Sequence, residues 1–249
     1  MLKTKYRPVF LLFFICIAGL FFHASLYAND GAYLQSAKPG TFIPVSNNDI
    51  QMIAEDITIN VDYDPSSNYM QTWFINRYTC IFTFQNRTGK KQEILMGFPY
   101  KVKKIDNRPK EDSLGKFTVF MDGHEIPAQK RKHGVNKNIP DIDYDEVFIF
   151  TVTFKAGETK TIVNSFEIID QGSLQAGPLT AGPYHVDYIL KSGQTWSRPI
   201  GRAKIAINFN FPSAFLKKTN IFPQGYSLGN GQQQSVLFQF ENFNPTDDI

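Results

Sequence analysis

The sequence predicts an all-β protein, most simply an antiparallel sandwich, and three observations lead to this class. Apolar and aromatic residues recur with a period of two along most of the chain, which is the spacing of one face of a β-strand. Glycine, proline and Asx residues typical of turns separate these runs. No segment of ten or more residues places apolar side chains at helical spacing, and the best helical candidate is one turn in residues 212–218.

The strands follow from the apolar alternation, taken in chain order. Alternate residues are apolar or aromatic in segments 57–63, 78–84, 117–121, 148–154, 203–211 and 236–240. Ile50 and Met52 fall on the opposite parity to Ile57, so the first strand needs a bulge near Glu55–Asp56 to turn both sets inward. Segment 148–154 has the most strongly apolar face of the set.

Turn dipeptides join these strands. Asp122-Gly123, Ala156-Gly157, Ser192-Gly193 and Asn230-Gly231 each follow or precede an alternating run. Such dipeptides are typical of hairpins. Short strands joined by tight turns favour an antiparallel sandwich that is immunoglobulin-like in general architecture.

Polar segments divide the chain. Residues 103–116 and 124–144 are charged and contain proline, so they are predicted as long loops at an edge of the sandwich. Residues 171–183 are rich in glycine and proline and form either a linker or a crossing loop. The predicted organisation is a signal peptide over 1–28, an N-terminal β-sandwich region over 29–170 and a C-terminal β region over 184–249 packed on it. One domain and two packed β subdomains both remain open.

The first 28 residues have the three parts of a secretory signal peptide. Basic residues precede an apolar run over 9–22, and Ala28 offers a small residue for cleavage before Asn29. An uncleaved anchor is the alternative, but the run is shorter than the about 20 apolar residues of a membrane-spanning helix. We expect an extracytoplasmic protein, periplasmic or secreted, that meets the membrane only through its signal peptide before cleavage.

Charge and cysteine content limit the expected classes of partner and the expected sources of stability. Three of the 26 Lys and Arg residues lie in the predicted signal peptide, so 23 remain against 23 Asp and Glu. A nearly neutral mature chain gives no reason to expect nucleic acid as a partner. Cys80 is the one cysteine outside the signal peptide, so no internal disulfide is expected and the fold depends on its core.

A Gly-x-Ser-x-Gly pattern at residues 225–229 resembles the nucleophile motif of hydrolases, with Ser227 at its centre. That motif needs a strand before the serine, a helix after it, and a histidine later in the chain. No histidine follows Ser227, and a turn and a strand come next. We therefore predict no catalytic residue, and the sequence favours a non-catalytic protein over an enzyme.

Candidate cation ligands occur in two places. Asp141, Asp143 and Asp145 alternate as at the start of a calcium loop, but the glycine and the final acid of that loop are absent. His185 and Asp187 share one side of a strand, which supplies two of the three or four ligands of a zinc site. Solvated acidic residues are the favoured interpretation, so no cofactor is expected and a divalent cation is the alternative.

The most distinctive segment covers residues 184–201. Its aromatic strand, its Ser-Gly turn and Trp196 with the following Pro-Ile-Gly step resemble a family of exported bacterial β-proteins, a domain-of-unknown-function family. Further matching pieces are Asn29-Asp30-Gly31, Phe84-Gln85-Asn86, Phe98-Pro99, and Phe154 with Gly157-Glu158-Thr159. The resemblance spans nearly the whole mature chain; it implies an exported β-protein and implies no reaction.

The same segment supplies the candidate ligand-binding residues Tyr184, Tyr188, Trp196 and Arg198. Aromatic side chains beside a cation can form a patch that faces a ligand. A packed corner of the sandwich is the favoured alternative for these aromatic residues.

Three functions remain open, and the first is a non-catalytic binding module of the bacterial envelope. It would bind an envelope protein or a glycan through its loops, and it requires segments 103–116 and 124–144 to lie together at one end of the sandwich. The second is a metal-assisted extracytoplasmic enzyme that uses the acids and histidine named above. The third is a structural or assembly subunit whose C-terminal strand pairs with another chain.

Overall fold

The structure, a computed structural model, confirms the all-β class and the sandwich arrangement. It describes residues 30–63, 71–100, 104–105, 108–109, 114–135, 144–173, 186, 188–196, 198–211, 226–228 and 234–245. The strands in these ranges are β1 (Gly31–Gln35), β2 (Thr41–Pro44), β3 (Ile50–Tyr63), β4 (Gln71–Asn86), β5 (Gln92–Tyr100), β6 (Lys104–Ile105), β7 (Arg108–Pro109), β8 (Thr118–Met121), β9 (His124–Ile126), β10 (Gln129–His133), β11 (Glu146–Phe154), β12 (Thr159–Ser173), β13 (Ile200–Asn210), β14 (Ser227–Leu228) and β15 (Gln234–Phe243). One 3₁₀ turn spans Lys191–Thr195.

Two sheets form the sandwich. The larger has eight strands in the order β14-β15-β13-β3-β4-β12-β8-β9, and the smaller closes on itself in the order β1-β2-β10-β11-β5. Strands β6 and β7 form a separate short hairpin. Most pairs are antiparallel, as predicted, but β13 runs parallel to β3 and β10 runs parallel to β2. Hairpin turns do not join these two pairs, so local turn chemistry leaves their relative direction open.

A bulge lies in the first long strand, as the parity of its apolar residues predicts. The register between β3 and β4 shifts between Met52 and Ala54, slightly before the predicted position. The shift turns Ile50 and Met52 to the same buried side as Ile57. In the neighbouring strand, a Cβ on Gly201 would lie 2.5 Å from the carbonyl oxygen of Ile53, so β13 can approach the bulge only with glycine there.

The predicted apolar faces form one core between the sheets. Side chains of β3, β4, β11, β12, β13 and β15 are buried together there, with Phe82, Phe84 and Phe154 among the largest that are fully buried. Each such side chain stabilises the fold by roughly 1.5–3 kcal/mol. A smaller cluster of Tyr33, Val147 and Ile149 fills the interior of the closed five-stranded sheet.

The turn dipeptides play different parts. Asp122-Gly123 joins β8 and β9 as predicted, and both residues have positive φ. Ala156-Gly157 makes a turn, but it connects β11 to β12, which lie in different sheets. Ser192-Gly193 lies within the 3₁₀ turn. A turn dipeptide fixes a local reversal of the chain, whereas strand pairing depends on where each strand buries its apolar face. The predicted turn Asn230-Gly231 and the predicted helical turn in residues 212–218 lie outside the described residues.

The predicted loop over residues 124–144 is in part strand, which corrects that prediction. His124–Ile126 forms β9 and Gln129–His133 forms β10. Both strands have polar sequences without apolar alternation, because β9 is an edge strand and most of β10 faces solvent. The sequence therefore did not predict them. Strand β12 extends to Ser173, and β13 and β15 join the same sheet as β3 and β4.

Candidate functional site

The predicted ligand-binding residues have different surroundings. Tyr188 is fully buried and Trp196 is 3% exposed, whereas Arg198 is exposed. Tyr184 lies outside the described residues. Tyr188 stacks at 6.4 Å on Tyr78, and the two aromatic positions of the predicted patch therefore match the packed-corner alternative.

Trp196 fixes the start of the first strand to the larger part of the core. Its indole Nε1 donates a hydrogen bond to the backbone oxygen of Asp30 at 3.0 Å, and its ring centroid lies 5.0 Å from that of Phe84. Next to it, the Thr195 Oγ1 accepts a hydrogen bond from the Ala32 N–H at 3.2 Å. The 3₁₀ turn thus holds residues 30–32 in place.

A buried polar cluster, formed by Asp30, Glu55, Cys80, Asn164 and Tyr188, lies in this part of the core. The Asn164 Nδ2 donates a hydrogen bond to Asp30 Oδ1 at 2.8 Å and so links the N-terminal strand to the eight-stranded sheet. Asp30, Glu55 and Asn164 are all fully buried. Burial raises the pKa of Asp30 to about 8, opposed by the hydrogen bond from Asn164.

Cys80 and Tyr188, two further members of the buried polar cluster, form a hydrogen-bonded pair. The Tyr188 hydroxyl donates a hydrogen bond to the Cys80 sulfur. Burial raises the pKa of the Cys80 thiol well above its usual value, and the nearby Glu55 and Asp30 carboxyls add to the shift. A thiol needs a lowered pKa to act as a nucleophile, so Cys80 has a packing role in this cluster.

An aromatic stack lies where β5 ends and β11 begins, and it consists of Tyr100, Phe117 and Phe148. The ring of Phe148 stacks on Phe117 at 4.2 Å and on Tyr100 at 5.2 Å. Phe117 and Phe148 are half-buried, so part of each ring remains accessible. Phe98 and Phe166 continue the aromatic packing into the core.

Charged and polar groups border the aromatic stack. The Tyr100 hydroxyl donates a hydrogen bond to the Glu146 carboxylate. Lys130 Nζ lies 2.8 Å from Glu146 Oε2 and 5.2 Å from the centre of the Tyr100 ring. The stack therefore offers an apolar face beside a donor and an acceptor, which is the usual composition of a small-molecule site.

Described flanks of the two long polar segments border this stack. Tyr100, the last residue of β5, pairs with Glu146, the first residue of β11, so the chain leaves the sheet and returns to it at adjacent positions. Leu114 bridges to Ile168 in β12, and Lys116 Nζ lies 3.7 Å from Glu125 Oε1. The described flanks of segments 103–116 and 124–144 therefore lie near one another, whereas the position of both whole segments at one end of the sandwich stays a prediction.

The predicted metal ligands lie mostly outside the described residues, namely Asp141, Asp143, His185 and Asp187. Asp145 is described and half-buried, and its backbone oxygen accepts a hydrogen bond from the His133 N–H at 3.1 Å. Within the part of the chain that the structure describes, no three His, Cys, Asp or Glu side chains group as metal ligands. The cation site remains a prediction, and Ala28 and Asn29 also lie outside the described residues.

Other features bear on the remaining alternatives. Ser227 lies in the two-residue strand β14 at the edge of a sheet, so the strand-to-helix context of a hydrolase nucleophile does not apply. Strand β15 pairs with β13 along most of its length, which counts against its donation to another chain. Among the described residues, none of the helical structure is long and apolar enough to cross a membrane.

Sequence reasoning missed the buried polar cluster and the aromatic stack. Asn164 carried a usable signal, because it occupies an inward position between Ile162 and Phe166 in an alternating run. The sequence around Tyr100 and Phe117 gave no indication of the aromatic stack, because each residue flanks a segment that was predicted as a loop. Their contact depends on strands that lie far apart in the chain.

Comparison with known proteins gives a fold likeness. No family model matches the chain, and no curated protein matches it, so the family resemblance in the sequence stays a prediction. Among solved structures, a Legionella pneumophila protein described as a "putative nutrient binding protein" matches with a TM-score of 0.69 at 21% identity. The match covers 90% of this chain and 69% of that one. At this identity, the likeness establishes the fold alone.

Proposed function

We propose that this chain is a non-catalytic binding protein of the bacterial cell envelope, exported by its N-terminal signal peptide and cleaved between Ala28 and Asn29. Its ligand binds at the aromatic stack. The observation that carries the proposal is the position of the stack, since half-buried rings and a Lys130–Glu146 pair lie beside the flanks of both long polar segments.

The fold likeness supports the same class of function. The matching structure is described as a "putative nutrient binding protein", and a nutrient of small size suits an apolar ring face with one donor and one acceptor beside it. The raised pKa of the Cys80 thiol and the edge position of Ser227 offer no activated nucleophile at those two positions. The expected partners, an envelope glycan or protein, would present a sugar or peptide unit of that small size to this face.

The test is a thermal-shift screen of the mature chain against sugars, amino acids and short peptides. We expect one class to raise the Tm, because a ligand that binds only the folded state stabilises it. The Phe148→Leu variant should lose that shift. The matched control is Phe240→Leu, because Phe240 stacks on Phe243 at 4.3 Å and is half-buried in the same way on another strand.

Two results would contradict the proposal. One is a screen in which no compound shifts the Tm of the wild-type chain. The other is a ligand whose shift survives Phe148→Leu or disappears equally in Phe240→Leu, which would move the site away from the aromatic stack.

A further inference from the structure

The N-terminal segment enters the core at the position where processing is predicted to begin the mature chain. Asp30 is fully buried, and it is the second residue after the predicted cleavage at Ala28. Its carboxyl Oδ1 accepts the hydrogen bond from Asn164, but Oδ2 is buried and has no hydrogen-bond partner among the described residues. A buried carboxyl oxygen without a donor is costly, so a donor is expected nearby.

Among the described residues, no buried lysine or arginine compensates the Asp30 carboxyl. The titratable groups that act on the same part of the core are Glu55 from β3, Cys80 from β4, Tyr33 from β1 and Tyr188. None of these four carries a positive charge in any protonation state. No lysine or arginine occurs among the buried residues of the described ranges.

Cleavage would create such a cation one residue away. Hydrolysis of the Ala28–Asn29 peptide bond consumes one water, leaves the new carboxylate on Ala28 and gives Asn29 a protonated α-amino group. Neighbouring Cα atoms are only about 3.8 Å apart, so the new ammonium is within reach of the Asp30 side chain. An ammonium donates up to three hydrogen bonds, and an opposite charge at short range favours the ionised form of a carboxyl.

We propose that Asp30 Oδ2 is a binding site for the α-ammonium of Asn29, so that signal cleavage completes the core of the protein. Asn164, Trp196 and Thr195 position the segment for this contact through the hydrogen bonds to Asp30 and Ala32. The unprocessed chain lacks this cation at Asn29, so its folded state is less stable than that of the mature chain. This inference rests on the cleavage site in the proposed function and is independent of any ligand.

The experiment compares two chains of defined start. One begins at Asn29 with a free amine; the other, the extended chain, carries Gly-Ser-Gly-Ser before Asn29. Four residues can move the amine by about 13 Å, beyond the roughly 8–10 Å over which exposed charges interact at moderate salt. Each chain is made with wild-type Asp30, with Asp30→Asn, and with the exposed control Glu93→Gln.

At pH 7 we expect Asp30→Asn to lower the Tm of the free-amine chain by at least about 5 °C, because it leaves a buried ammonium without its partner. In the extended chain the same change should raise the Tm, because the buried wild-type carboxyl there ionises on unfolding and so favours the unfolded state at pH 7, which an Asn cannot do. Glu93→Gln should act equally in both chains. An equal effect of Asp30→Asn in both chains would overturn the proposal.

A second measurement does not depend on the variants. In the folded free-amine chain, the α-amine should react with an acylating reagent at least about tenfold more slowly than in the urea-unfolded chain. An α-amine that reacts as fast in the folded chain as in the unfolded chain would overturn the proposal. A measured mass of the exported protein that corresponds to a first residue other than Asn29 would overturn it as well. Failure of the ligand screen, by contrast, would leave these results unchanged and would count only against the proposed function.

Discussion

At the scale of single residues, close approach decides which positions tolerate change. Gly97 in β5 faces the interior of the closed five-stranded sheet, where an added Cβ would lie 2.7 Å from atoms of Tyr33 and of Val147. Ile149 lies at 2.8 Å from the same point. These neighbours belong to the small core of that sheet, so none of them can move away freely.

We therefore predict that Gly97→Ala lowers the free energy of unfolding by about 1–3 kcal/mol, because overpacking forces neighbours from their positions. Gly89→Ala is the control, since nothing lies within 4 Å of its added Cβ and its φ is not positive. The control should change stability by less than about 1 kcal/mol. Urea denaturation measures both, and equal effects of the two variants would contradict the prediction.

At the scale of elements, one short turn connects the two sheets. The 3₁₀ turn Lys191–Thr195 and the adjoining Trp196 bind β1 through hydrogen bonds to Asp30 and Ala32. The backbone N–H of Asn47 donates a hydrogen bond to the backbone oxygen of Thr195 at 2.8 Å. This turn holds the start of the N-terminal strand in addition to the pairing of β1 with β2 and β5. The described part of segment 184–201 therefore has a structural role.

Trp196→Phe tests that role. It keeps an aromatic ring in the core but removes the N–H that bonds to the Asp30 oxygen, so the free energy of unfolding should fall by about 1–3 kcal/mol. Arg198→Ala, at an exposed neighbouring position, should change it by about 0.5 kcal/mol or less. If urea denaturation shows the same small change for both, the turn does not depend on the indole hydrogen bond.

At the scale of the whole molecule, stability should depend on pH through Asp30. The folded-state pKa of this group, about 8, lies above its ordinary value of 3.8, so the folded protein holds the proton more tightly. The protonated Asp30 carboxyl therefore favours the folded state. This contribution to the free energy of unfolding is fully present below about pH 4 and is lost as the pH rises towards about 8. The free-amine chain should lose less of it, because a nearby ammonium lowers the pKa of the carboxyl.

The measurement is the free energy of unfolding of the extended chain between pH 4 and pH 8. We expect the free energy of unfolding of the extended chain to fall by on the order of a few kcal/mol over this range, and we expect Asp30→Asn to abolish this fall. Glu93→Gln, at an exposed position, should leave the decrease in place. A decrease that persists unchanged in Asp30→Asn would assign the pH dependence to other groups.

Much of the fold was predictable because β-structure leaves a local signature. The alternating runs identified β3, β4, β11, β13 and β15, the parity change identified the bulge, and Asp122-Gly123 identified a hairpin. Strands β9 and β10 were missed because polar, solvent-facing strands lack that alternation. The candidate site was predicted least well, since Trp196 and Tyr188 carry the same aromatic signal whether they face a ligand or the core.

By itself, the sequence determined the all-β class, the inward faces of the main strands and a segment with the pattern of a signal peptide, because each depends on neighbouring residues. The tertiary structure alone decided the parallel pairing of β13 with β3, the burial of Trp196 and the contact between Asp30 and Asn164. Asp30 and Asn164 are 134 positions apart in the chain. Such a contact depends on how two sheets pack across a shared core, and no local periodicity encodes that arrangement.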